Sequence, residues 1–102
     1  MPTYEEALVH LGIDYPDENI KTIVTQKLAA AVSTVKGAVG DDVELLLPDD
    51  SRVKELVLAY LADLYDNRGV SAKISNAVRL SMASMELQVK MELRQIREEA
   101  AT

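Results

Sequence analysis

Apolar residues recur at helical spacing in four stretches of the chain. The first stretch is Tyr4, Ala7, Leu8 and Leu11. Thr3 and Glu6 precede and open it in a capping-box pattern, and Gly12 is placed to stop it. About two turns long, such a helix needs a partner to persist. Ile13 to Asn19 reads as a turn and helix start, with Pro16 in the first helical turn and Asp17 and Glu18 complementing the positive helix end. Ile20, Ile23, Val24, Leu28, Ala31, Val32 and Val35 then mark one face of a long helix, which Gly37 and Gly40 are expected to end.

Val43 to Leu47 fits either a short extended segment or a helical turn, and Pro48 interrupts it. A third helix begins between Asp49 and Ser51, buries Val53, Leu56, Val57, Tyr60, Leu61 and Leu64, and closes at Asn67-Arg68-Gly69. Val70 to Ile74 connects it to a last helix, capped by Ser75 or Asn76 and running to about Glu99. The pattern predicts one all-α domain over residues 1–102. It is a small bundle of four helices, two long and two shorter, with an irregular central loop. The second, third and fourth helices supply the core.

The last helix carries apolar residues on two sides. At 100° per residue, Val78, Met82, Met85, Val89, Leu93 and Ile96 fall within roughly 80° of one another. Leu80, Leu87 and Met91 fall about 180° to 220° from Val78. A helix on the surface of a small bundle needs one apolar face. The second stripe is therefore expected to meet another molecule, although scattered exposed apolar residues are common. Leu45, Leu46, Leu47 and Val43 form a second candidate surface. Arg68 and Arg94 are candidate polar ties, because a guanidinium is a forked donor able to join two elements or subunits.

Composition narrows the picture. Hydrophobic residues make up 48% of the chain, enough for a core, while aromatic residues are only 4% and all Tyr. The core must therefore come from Leu, Val, Ile, Ala and Met, which suit helix-on-helix packing. The chain has no Cys, which removes disulfides and thiolate metal sites. No apolar run reaches the ~20 residues needed to span a bilayer, and the acidic start resembles no signal peptide. The expectation is a cytoplasmic protein with no membrane association. Net charge is −6: residues 1–50 hold ten acids and three Lys (−7), and residues 51–102 hold eight bases and seven acids (+1). Without a basic stripe, binding through DNA or RNA phosphates is disfavoured.

Catalytic chemistry lacks a candidate set. His10 is the single histidine and has no placed nucleophile or second base, so an exposed or helix-end role fits it best. Asp41, Asp42, Glu44, Asp49 and Asp50 lack the alternating ligands and central Gly of a calcium loop. The glycines are isolated, so no phosphate-binding motif exists. Met82 and Met85 fit core filling better than an adaptable binding surface. Neither a catalytic residue, a metal ligand nor a cofactor site is expected.

The order of motifs resembles one family. Thr3-Tyr4-Glu5-Glu6-Ala7 through Leu11-Gly12-Ile13-Asp14, then Asp17-Glu18 entering a long helix, is similar to the head–tail connector (head-completion adaptor, or DNA-packaging) proteins of tailed bacteriophages. So are a third helix closing on Leu64-Tyr65-Asp66-Asn67-Arg68 and a last helix carrying Leu93-Arg94. The resemblance extends from Tyr4 to about Arg97, and the segment from Ala38 to Asp50 departs from it most.

That resemblance implies a structural subunit at the virion head–tail junction, present in the host cytoplasm during assembly. Such subunits form a homo-oligomeric ring beneath the portal protein, extend the DNA channel and dock tail-side connector proteins. A ring of on the order of a dozen copies would need heterologous contacts, one patch against a different patch on the neighbour. An acidic or neutral channel wall would let DNA pass without specific binding. The alternative is a generic helical interaction module that dimerises through its last helix.

Overall fold

The computed structural model of the protein describes residues 1–66 and 76–101. Among these it contains α1 (Tyr4–Leu11), α2 (Glu18–Val39), α3 (Val43–Leu46), α4 (Ser51–Asp66) and α5 (Asn76–Ala101), and no strand. The all-α bundle expected from the sequence is therefore present, with α2 and α5 the long helices. The central segment resolves into the helical alternative, the single turn α3.

Local chemistry sets the boundaries. The Thr3 hydroxyl accepts from the Glu6 N–H and the Glu6 carboxylate accepts from the Thr3 N–H, each at 3.1 Å, so the capping box is complete. Gly12 ends α1 at φ 72°, left-handed backbone that glycine adopts without a Cβ clash. At α2 the cap is Asp17, whose Oδ1 accepts from the Ile20 N–H at 2.8 Å. Pro16 thus stands before the cap, not in the first turn. Nor does Gly37 stop α2; it lies inside the helix beside open space. There it costs about 1 kcal/mol relative to Ala, less than the helix gains by carrying Val39 into the core. The stop is Gly40, at φ 139° and ψ 140°, a region nearly restricted to glycine. Asp50 opens α4: its Oδ1 accepts from the backbone N–H of Arg52 at 2.9 Å and of Val53 at 3.3 Å.

The core runs along α2, α4 and α5. Val24, Ala31, Val35 and Val39 come from α2, Val53, Leu56, Val57 and Leu61 from α4, and Met82, Val89 and Leu93 from α5, all buried. Ala7 of α1 and Val43 of α3 close its ends. The largest helix–helix interface is α2 with α4. α5 lies antiparallel to α4: Arg52 pairs with Glu92, and Tyr60, two turns later, with Glu86.

α1 and α5 sit on opposite sides of α4. Arg52 and Tyr60 face α5, whereas Lys54 pairs with Glu6 of α1 at 3.1 Å and Leu58 lines a groove with Glu5 and Val9. At 100° per residue the two sets are centred about 180° apart on the α4 surface. α2 packs between them, against the face bearing Val53, Val57 and Leu61. Among the described residues no helix is long and apolar enough to cross a membrane.

Candidate interaction surface

The two faces predicted for the last helix separate cleanly in the fold. On the inner face, Val89 and Leu93 are fully buried, Met82 nearly so, and Met85 packs against the core. Ile96 is half-buried, and the side chain of Val78 lies outside the described residues. On the outer face, Leu80, Leu87 and Met91 are 72%, 58% and 62% exposed. No other part of the described chain covers them.

Leu87 and Met91, with Val39 at the end of α2, line a groove of about 280 Å³. Its other lining residues are Lys90, Arg94 and Arg97, so three cations and no acid surround an apolar floor. Arg97 is turned toward the end of α2: its Nε donates to Asp42 Oδ2 at 2.7 Å. Among the described residues Arg94 pairs only with Glu98, one turn along its own helix, at 3.2 Å. Among the described residues it therefore ties α5 to no other helix. Lys90 has no ion-pair partner among the described residues. Asp42 and Glu98 thus match two of the three cations, and Lys90 is the unpaired charge of this rim among the described residues.

The central leucines divide. Leu45 is 80% exposed, while Leu46 and Leu47 pack against the core. Their grouping as one outward surface fails because successive residues of a helical turn point about 100° apart. Val43 is wholly buried and belongs to the core. Arg68 and the Asn67-Arg68-Gly69 closure lie outside the described residues, as does Ser75. His10 is exposed in the last turn of α1.

Two further exposed apolar residues belong to α1 and the turn that follows it. Val9 is 80% exposed and Tyr15 94% exposed. Glu5, Glu6, Asp14, Asp17 and Glu18 surround them in the chain, with no Lys or Arg between residues 1 and 20. Val9, Glu5, Glu6, His10 and Leu58 line a shallow groove of about 370 Å³. The periodicity held the signal for Val9: it lies about 140° from the Tyr4 direction, off the face that Ala7, Leu8 and Leu11 share. An exposed Tyr in a polar turn was an equally legible sign.

Among the described residues, Arg52 and Arg97 join elements through ties that the sequence reading did not single out. The Arg52 guanidinium bridges Asp50, at 2.6 Å, and Glu92. The Asp50 carboxyl is held below its usual range, first by Arg52 and also by the N–H groups it caps. Arg97 does the same to Asp42, and Thr3 with Lys54 to Glu6. Burial and the nearby Glu86 carboxylate push the Tyr60 hydroxyl up to about 12. Such separations along the chain carry no periodic signature.

Among the described residues no polar or charged residue is buried, and no three His, Cys, Asp or Glu are grouped to hold a metal ion. What the described surface offers is contact area of two kinds: apolar with cations, and apolar with acids. Comparison of the chain with protein-family models, with curated proteins and with solved structures finds no match.

Proposed function

We propose that the protein is a structural adaptor subunit of a phage head–tail junction. It assembles as a ring beneath the portal protein, extends the DNA channel and docks tail-side connector proteins. The supporting observation is the outer stripe of α5, where Leu80, Leu87 and Met91 stand exposed on a helix whose opposite face already fills the core. Large apolar side chains in line on a rigid helix are the kind of surface that protein partners bury. The resemblance of the motif order from Tyr4 to Arg97 supplies the connector assignment. The acid excess suits a channel wall that DNA slides past without specific binding. On this reading the protein carries out no reaction and resides at the virion head–tail junction after assembly in the host cytoplasm.

The same stripe also favours a second reading, a two-fold dimer through α5. Leu80 and Leu87 are seven residues apart, the repeat of a paired helix. Extended by another heptad, however, that register reaches Arg94, so the seam is short.

Particle mass tests both readings. Light scattering over a concentration series, with and without added portal ring, is expected to show a large closed species, alone or templated by the portal. A mass that stays at two chains and ignores the portal selects the dimer. A monomer under every condition rejects both.

A further inference from the structure

We infer that the acidic patch of α1 and its following turn, carrying Val9 and Tyr15, seats in the cationic groove on α5 of a second copy of this chain. The inference rests on the ring reading and names the two surfaces that would meet.

Complementarity carries it. The α5 groove has an apolar floor, Leu87, Met91 and Val39, and a rim of Lys90, Arg94 and Arg97. On α1, exposed Val9 lines a groove with Glu5, and the following turn carries exposed Tyr15 next to Asp14 in the chain. Among the described residues neither Glu5 nor Asp14 has an ion-pair partner, and neither does Lys90. Opposite charges around matched apolar centres steer association and set register. The unpaired charges oppose the symmetric alternatives, because α5 against α5 brings Lys90 to Lys90 and α1 against α1 brings Glu5 and Asp14 to their own copies.

Placement supplies the second argument. The groove is built by α5 and the end of α2, the patch by α1 and α4, and they share no lining residue. A contact between different patches is heterologous, so each copy that docks leaves a free patch for the next. Repetition gives a ring if the rotation closes and a filament if it does not.

Charge reversal tests the pairing. Glu5→Lys/Asp14→Lys makes the α1 patch basic, and Lys90→Glu/Arg94→Glu makes the α5 rim acidic. All four side chains are at the surface, and circular dichroism checks that each variant folds. Each variant alone should assemble at least about tenfold more weakly than the wild type. A one-to-one mixture should recover assembly, since each patch again meets its opposite. Because the chain has no Cys, Val9→Cys/Leu87→Cys should also form a ladder of disulfide-linked multimers on oxidation, where Leu87→Cys alone does not. If the wild type forms rings but the mixture stays dissociated and no ladder appears, this pairing is wrong and the ring reading stands. Strong dimer formation by Leu87→Cys alone overturns it in favour of the two-fold contact. A wild type that never assembles, with or without portal, removes the ring reading and this inference together.

Discussion

Arg97 and Asp42, 55 residues apart in the chain, close the corner where α2 ends and α5 runs past it. A Cβ on Gly40 would meet the tip of the Arg97 side chain and displace it, and the φ of 139° suits few other residues. Gly40→Ala should therefore destabilise the fold by about 1–3 kcal/mol, read by urea denaturation. Part of that loss should vanish in an Arg97→Ala background, where the clash is gone and the backbone strain remains. Fully additive losses would show that Arg97 does not need the space.

Asp50 both caps α4 and holds Arg52. Asp50→Ala should cost about 1–2 kcal/mol through the lost cap. Asp50→Asn should cost less, because Asn also caps. Equal losses for the two, measured by thermal melts, would assign the whole effect to the Arg52 pair.

The two faces of α5 should respond in opposite ways. Leu93→Ala empties a fully buried site and should cost about 2–5 kcal/mol. Leu87→Glu places charge on an exposed position and should change monomer stability by less than about 0.5 kcal/mol, while weakening assembly. An unfolded Leu87→Glu monomer by circular dichroism would make Leu87 part of the core and end the two-face argument.

The Tyr4 hydroxyl is buried and has no hydrogen-bond partner among the described residues. Its removal should be harmless or helpful: Tyr4→Phe should raise stability by up to about 1 kcal/mol. A clear loss in chemical denaturation would reveal a partner for that oxygen.

Both ends of the pH scale should destabilise the protein. The carboxyls of Asp50, Asp42 and Glu6 have lowered folded-state values against ordinary ones of 3.8 and 4.5. Their contribution is complete above those ordinary values and is lost as pH falls through the lower folded ones. Tyr60 is raised from 10.0 to about 12, so its contribution holds below pH 10 and fades as pH rises toward 12. Melting temperature against pH should therefore fall on the acid side below about pH 4. In Tyr60→Phe the alkaline fall should flatten.

Much of the fold was legible in the chain, because its signals are local. The Thr3–Glu6 box, the Gly12 stop and the separation of Val89 and Leu93 from Leu87 and Met91 all follow from spacings of three to seven residues. Gly37 misled because glycine stops a helix only where the backbone turns left-handed, and here Ala38 and Val39 continue inward to the core. Leu45, Leu46 and Leu47 were indistinguishable in a run of identical residues. Their directions depend on the turn that α3 makes between α2 and α4.

By itself, then, the sequence determined the four main helical segments and which side of each is apolar, and left the Val43–Leu47 turn open. Both are consequences of backbone geometry repeating every 3.6 residues. The tertiary structure alone decided which charges meet across the chain, as in Arg97 with Asp42 and Arg52 with Glu92. It also decided that α1 and α5 pack on opposite sides of α4. Those relations depend on how whole helices rotate and pack against one another, and the packing optimises buried volume over the entire bundle, a quantity no local spacing encodes.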